Sequence, residues 1–138
     1  MTHEDLVDML IRHEGLKLFP YKDTVDKWTI GVGRNISDNG ITHEEAMVLL
    51  HNDIDRATHD LLRGFPIVDT LDNTRFCVLV NMCFNIGLPR LKGFQKMWAA
   101  IEREDYEDAA MEMLDSKWAR QVGSRARELS ELMRKGDD

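Results

Sequence analysis

The stretch from Asn73 to Ile86 constrains this chain more than any other. Phe76, Cys77, Val78, Leu79, Val80, Met82, Cys83, Phe84 and Ile86 leave almost no polar face. A helix that is apolar nearly all round belongs at the centre of a core. The spacing predicts such a helix over 73–86, ended by Gly87 and Pro89. The chain beyond it also reads as helical, over 93–102, 105–114, 116–122 and 124–135. Glu104-Asp105, Asp115-Ser116 and Gly123-Ser124 are the breaks. Met82, Met97, Met111 and Met113 read as core filler, and the last residues, Lys135–Asp138, as frayed.

The first half is organised differently. Leu6, Met9, Leu10 and His13 recur at spacings of three and four, so 3–14 reads as an amphipathic helix. Thr2 is its N-cap and Gly15 its stop. Residues 16–36 carry two short extended runs. Along Trp28–Gly33, alternation puts Trp28, Ile30 and Val32 on a bulky face expected to pack inward. Thr29, Gly31 and Gly33 form a nearly bare face, with room for something to approach the backbone. Thr42-His43-Glu44-Glu45 is a capping box. The helix it opens, about 42–63, is roughly 30 Å long. In a chain of 138 residues such a helix is expected to join two lobes.

Composition excludes several functions. With 18 basic and 25 acidic residues the net charge is −7, which argues against nucleic acid or an anionic membrane surface as the main partner. The opening residues lack the basic flank and apolar run of a signal peptide, so the protein is expected to stay in the cytoplasm where it is made. No stretch approaches the ~20 apolar residues that span a bilayer. Cys77 and Cys83 sit six residues apart on one helix, a rise of about 9 Å, too far to bridge. They read as buried thiols. His43, His51 and His59 are about 12 Å apart in series, too far to share a metal. Gly31-Val32-Gly33 lacks the third glycine of a dinucleotide loop. No cofactor and no metal is expected.

Glu14 falls on the apolar stripe of its helix and in the last turn. Partial burial and the helix end both favour the protonated carboxyl there, as a general acid requires. The alternative is a helix-end glutamate that points into water. Asp23, nine residues on, lies in a turn, where aspartate bonds nearby backbone N–H groups; an exposed turn keeps it ionised. Thr29 follows on the bare face. Two carboxyl groups in unlike environments, one protonated and one ionised, are what glycoside hydrolysis needs.

The run His13-Glu14-Gly15, then Tyr21-Lys22-Asp23, then Thr29-Ile30-Gly31-Val32-Gly33 resembles the bacteriophage lysozyme (endolysin, muramidase) family. Asn81–Gly87, Gly93-Phe94, Ser116-Lys117-Trp118 and Ser124–Arg127 follow the family in order and spacing. The resemblance covers nearly the whole chain. It implies an α+β, mostly helical, lysozyme-like fold in one domain, 1–138. A small β-hairpin lobe (about 15–41), a connecting helix (about 42–63) and a helical lobe (about 64–138, with helix 3–14 packed on it) would make it up.

By resemblance, Glu14 is the general acid, Asp23 the second carboxylate, and Thr29 holds the attacking water of an inverting reaction. Arg125 pairs with the acid and orients it. Gly33, Asn35 and Phe84 contact sugar. The implied activity is hydrolysis of the β-1,4 bond between N-acetylmuramic acid and N-acetylglucosamine in bacterial peptidoglycan. The implied actor is a monomer, released from the host bacterial cytoplasm by a holin-type partner. A non-catalytic peptidoglycan-binding module and a chitinase-like glycosidase are the alternatives. Arg34 stands where relatives carry His, so the ion pair formed there in relatives is not expected. The segment from Arg34 to Thr42 is short, which trims the small lobe. The stretch Lys117–Lys135, with six basic and two acidic residues, is expected to meet the wall.

Overall fold

The computed structural model describes residues 1–137. The chain divides into two compact units, Met1–Val48 and Leu49–Asp138.

The first unit opens with α1 (His3–Glu14). Thr2 and Asp5 close a reciprocal capping box at its start, and the Gly15 N–H bonds the Ile11 carbonyl at its end. A three-stranded antiparallel sheet follows in the order β1-β2-β3, from β1 (Lys17–Lys22), β2 (Trp28–Gly31) and β3 (Arg34–Asn35). Tyr21 pairs with Thr29, Lys22 with Trp28, and Thr29 with Asn35. The register slips between Lys17 and Tyr21, where Pro20 has no N–H to give to the ladder.

The expected facing of β2 fails at Trp28 and Val32, while Ile30 is half-buried. Thr29 is buried, whereas Trp28 is 49% exposed and Val32 lies at the surface. The Thr29 hydroxyl donates to the Lys27 carbonyl at 2.9 Å, which satisfies it in the interior. Trp28 instead carries the Lys22 ammonium, 5.2 Å from its ring. Asn35 caps α2 (Ile36–Asn39), a single turn that hydrophobic periodicity is too short to reveal.

Helix α3 (His43–Gly64) crosses the boundary between the units. Its capping box is as the sequence reads: Thr42 N–H donates to Glu45 Oε1, and Glu45 N–H to Thr42 Oγ1.

The second unit holds the hydrophobic core. Residues Pro66–Thr70 form a 3-10 turn. Then come α4 (Asn73–Ile86), α5 (Leu88–Lys92), α6 (Gln95–Glu102), α7 (Tyr106–Leu114), α8 (Lys117–Val122) and α9 (Ser124–Lys135). Val78, Leu79, Met82 and Cys83 of α4 are buried, as are Leu61, Leu91, Met97, Ile101, Met113 and Met133. Ala100, Ala109, Ala110 and Ala126 are buried too, and their small side chains let α6, α7 and α9 approach closely. Phe65 stacks on Trp98 at 3.7 Å between centroids, and the Trp98 indole N–H donates to the Leu91 carbonyl.

Three expectations fail here. Cys77 is exposed, as is Met111, while Cys83 is the buried thiol; α4 turns one edge outward. The 88–92 segment, read only as a break, is a helix begun by Pro89 in its first turn, where a missing N–H is harmless. The tail is tied down rather than frayed. Asp137 accepts from the Thr74 N–H at 2.9 Å and from the Asn73 N–H at 3.3 Å, capping α4 from a distance. Arg75 donates to the carbonyls of Met133 at 2.7 Å and Arg134 at 2.9 Å, satisfying the last turn of α9. Asp138 lies outside the described residues.

Candidate active site

Glu14, Asp23, Thr29, Gly33 and Asn35 all belong to the first unit, Phe84 and Arg125 to the second. Glu14 is the last residue of α1 and is exposed, not half-buried on an apolar stripe. Its carboxylate lies against Gly33. A Cβ built on Gly33 would stand 2.8 Å from Glu14 Oε2, and Gly33 has φ +69°. At Gly33 the bare face is therefore occupied by the side chain of Glu14 itself, while Gly31 stays open.

Asp23 heads the turn between β1 and β2. Its Oδ1 accepts from the Val25 and Lys27 N–H groups, both at 2.9 Å. Among the described residues its Oδ2 is left uncommitted. The Lys27 carbonyl accepts from the Asp23 N–H and from the Thr29 hydroxyl, each at 2.9 Å. One peptide unit, Lys27, thus holds both Asp23 and Thr29 in place. Sequence reading missed Lys27, because its contribution is made by backbone atoms that carry no residue signature.

Asn35 spends its side chain on α2. Its Oδ1 accepts from the Asp38 N–H, and its Nδ2 donates to Asp38 Oδ2. Lys27 and Asn35 together hold the Asp38 carboxyl below its ordinary range. Arg34 forms a bidentate pair with Glu45, at 2.8 and 2.6 Å, and bonds the Gly40 carbonyl. Arg34 and the Thr42 N–H pull the Glu45 carboxyl down to about 2. Contrary to expectation, Arg34 thus does form an ion pair, with Glu45.

In the second unit, Phe84 and Arg125 line a groove of about 410 Å³ with Leu50, Ile54, Phe76 and Asn81. Arg125 donates from Nε and Nη2 to Asn81 Oδ1, at 3.0 and 2.7 Å. Asn81 is a polar residue within the apolar run of α4, and sequence reading marks it only as part of the stretch Asn81–Gly87. On the basic stretch, Arg134 and Lys135 both pair with Glu131. Lys117, Arg120 and Arg127 carry the exposed charge. Among the described residues no His, Cys, Asp and Glu cluster is suited to a metal, and no helix is long and apolar enough to cross a membrane.

Residues 11–136 match the Phage lysozyme family model. The chain is 28% identical to "Probable T4-type lysozyme 1" of Dictyostelium discoideum, covering 94% of this chain and 93% of that one. It is 29% identical to an "Endolysin" of Acyrthosiphon pisum secondary endosymbiont phage 1, over 81% and 75% of the two chains. It also matches 28% of the length of the pre-baseplate central spike protein Gp5 of Enterobacteria phage T4, at 29% identity. The family is that of glycoside hydrolases built on a mostly helical α+β fold with a small antiparallel sheet; the chain belongs to the phage lysozyme family.

Proposed function

We propose that this glycoside hydrolase cleaves the β-1,4 bond between N-acetylmuramic acid and N-acetylglucosamine in bacterial peptidoglycan, with inversion. The shared hold of Lys27 on Asp23 and Thr29 carries this reading. It fixes a carboxylate and a hydroxyl on one rigid turn, as activation of a single water demands. Glu14 is the acid that protonates the leaving glycosidic oxygen, and Gly33 gives its carboxyl a place to lie. Asp23 takes a proton from the attacking water. An inverting pair leaves a gap of about 6.5–9.5 Å for that water. Arg125, steadied by Asn81, orients the acid, and Gly33, Asn35 and Phe84 contact the glycan. Lys117, Arg120 and Arg127 meet the anionic wall.

The biological setting follows as part of the same proposal. The protein acts as a monomer in host cell lysis, made in the host bacterial cytoplasm and reaching the wall after a holin-type partner opens the inner membrane.

Purified protein is expected to release reducing ends from peptidoglycan, and NMR of the first product to show the inverted anomer. Glu14→Gln is expected to lose about 10²–10⁴ in turnover. A retained anomer would end the inverting mechanism, and an unchanged turnover of the Gln variant would end the assignment of Glu14.

A further inference from the structure

The β1–β2 hairpin exposes more apolar surface than a small sheet needs. Phe19 is 82% exposed, Leu18 78%, Val25 68% and Trp28 49%. Single exposed apolar residues are ordinary, but several on one short hairpin mark an interaction surface. Lysines are interleaved with them: Lys17, Lys22 and Lys27. From Lys17 to Arg34 there are four basic and two acidic residues, +2 in a chain of −7. Lys22 and Lys27 have partners in Asp26 at 3.3 Å and Asp38 at 3.1 Å. Exposed pairs of this kind are weak and exchangeable.

Three occupants are conceivable, and the residues separate them. A second copy would add its strand to the β1 edge. Pro20 and the slipped register between Lys17 and Tyr21 break that edge, as natural edges are broken to prevent such pairing. A glycan strand would want flat aromatic platforms, whereas Leu18 and Val25 are branched aliphatics. A bilayer surface takes aliphatic side chains at the acyl boundary, tryptophan at the interface and lysine at headgroup level.

We propose that this hairpin docks on an anionic phospholipid surface, with Leu18, Phe19, Val25 and Trp28 entering the boundary between headgroups and acyl chains. The net charge of −7 opposes this only on average, because the segment Lys17–Arg34 carries +2, and approach by a locally basic segment is favoured near a negative surface.

Trp98 and Trp118 are 5% and 2% exposed, so Trp28 is the natural reporter. The full chain is mixed with phosphatidylcholine vesicles with and without phosphatidylglycerol, and with vesicles of brominated acyl chains. Expected results are co-sedimentation with the phosphatidylglycerol vesicles, weaker binding to phosphatidylcholine alone, and quenching of Trp28 by bromine. The double variant Leu18→Ser, Phe19→Ser is expected to bind at least about tenfold more weakly, with hydrolysis of soluble wall fragments unchanged. The proposal is overturned by absence of co-sedimentation, by unquenched Trp28 in vesicle-bound protein, or by undiminished binding of the double variant. Self-association in place of vesicle binding would overturn it in favour of a second copy.

Discussion

Gly33 meets two demands at once: a backbone at φ +69° and a carboxylate packed where a side chain would begin. Only glycine adopts that conformation cheaply. Gly33→Ala is expected to cost roughly 1–2 kcal/mol in backbone strain. Displacement of the Glu14 carboxyl should also lower turnover by about tenfold or more. Denaturant titration and wall-fragment turnover measure the two effects separately, and a variant that loses stability but keeps turnover would show that Glu14 tolerates the shift.

Glu45 makes a different residue-scale argument. Its carboxyl lies at about 2 against an ordinary 4.5, chiefly through the Arg34 hydrogen bonds. The unfolded chain therefore binds the proton more readily, so the contribution of this pair is present above about pH 4.5 and fades as pH falls towards 2. Thermal midpoints of the unaltered protein and of Glu45→Gln should differ at neutral pH and converge in acid. A gap that stayed constant across that range would remove the Arg34–Glu45 pair as its cause.

Among the elements, the reciprocal grip of α4 and α9 is the least local. Arg75 bonds two carbonyls at the end of α9 and lies 3.6 Å over the Tyr106 ring. Arg75→Met is expected to destabilise the second unit by about 2 kcal/mol, read from its unfolding midpoint; a loss below a few tenths would mean water replaces the guanidinium. None of this grip was legible in the sequence, since its partners are about sixty residues apart and no period links them. The longer helices themselves were legible, whereas α2 and α5 were not. Both capping boxes, at Thr2 and Thr42, are local patterns of four residues, and the apolar run of α4 announces its own burial. The two faces of β2 were misread, because alternation says which residues share a face but not which face is covered. Thr29 is buried by virtue of a hydrogen bond to Lys27 that no hydropathy pattern contains. The candidate site was half legible in the same way: Glu14, Asp23 and Thr29 stand out as a motif, while Lys27, which holds two of them, is invisible.

At the scale of the whole molecule the two units are built on different principles. In the first, Thr29 is the only buried residue among those described, and hydrogen-bonded turns and caps do most of the holding. In the second, nearly all the apolar interior is gathered. Amides of α4, α6, α7 and α9 are expected to exchange with solvent only on global unfolding. Those of β1–β3 should open at free energies lower by roughly 2 kcal/mol or more. Uniform protection across both units, read by hydrogen exchange, would contradict this. The hold of Asp137 on α4 also has a topological meaning. The chain that leaves at Asn73 returns to it sixty-four residues later, so the folded run is already a closed loop fastened by weak bonds. A covalent staple between the positions of Thr74 and Asp137 would make that closure permanent. It would confine the unfolded chain, a gain of roughly 4 kcal/mol by loop entropy, where the folded chain already brings the two ends into contact.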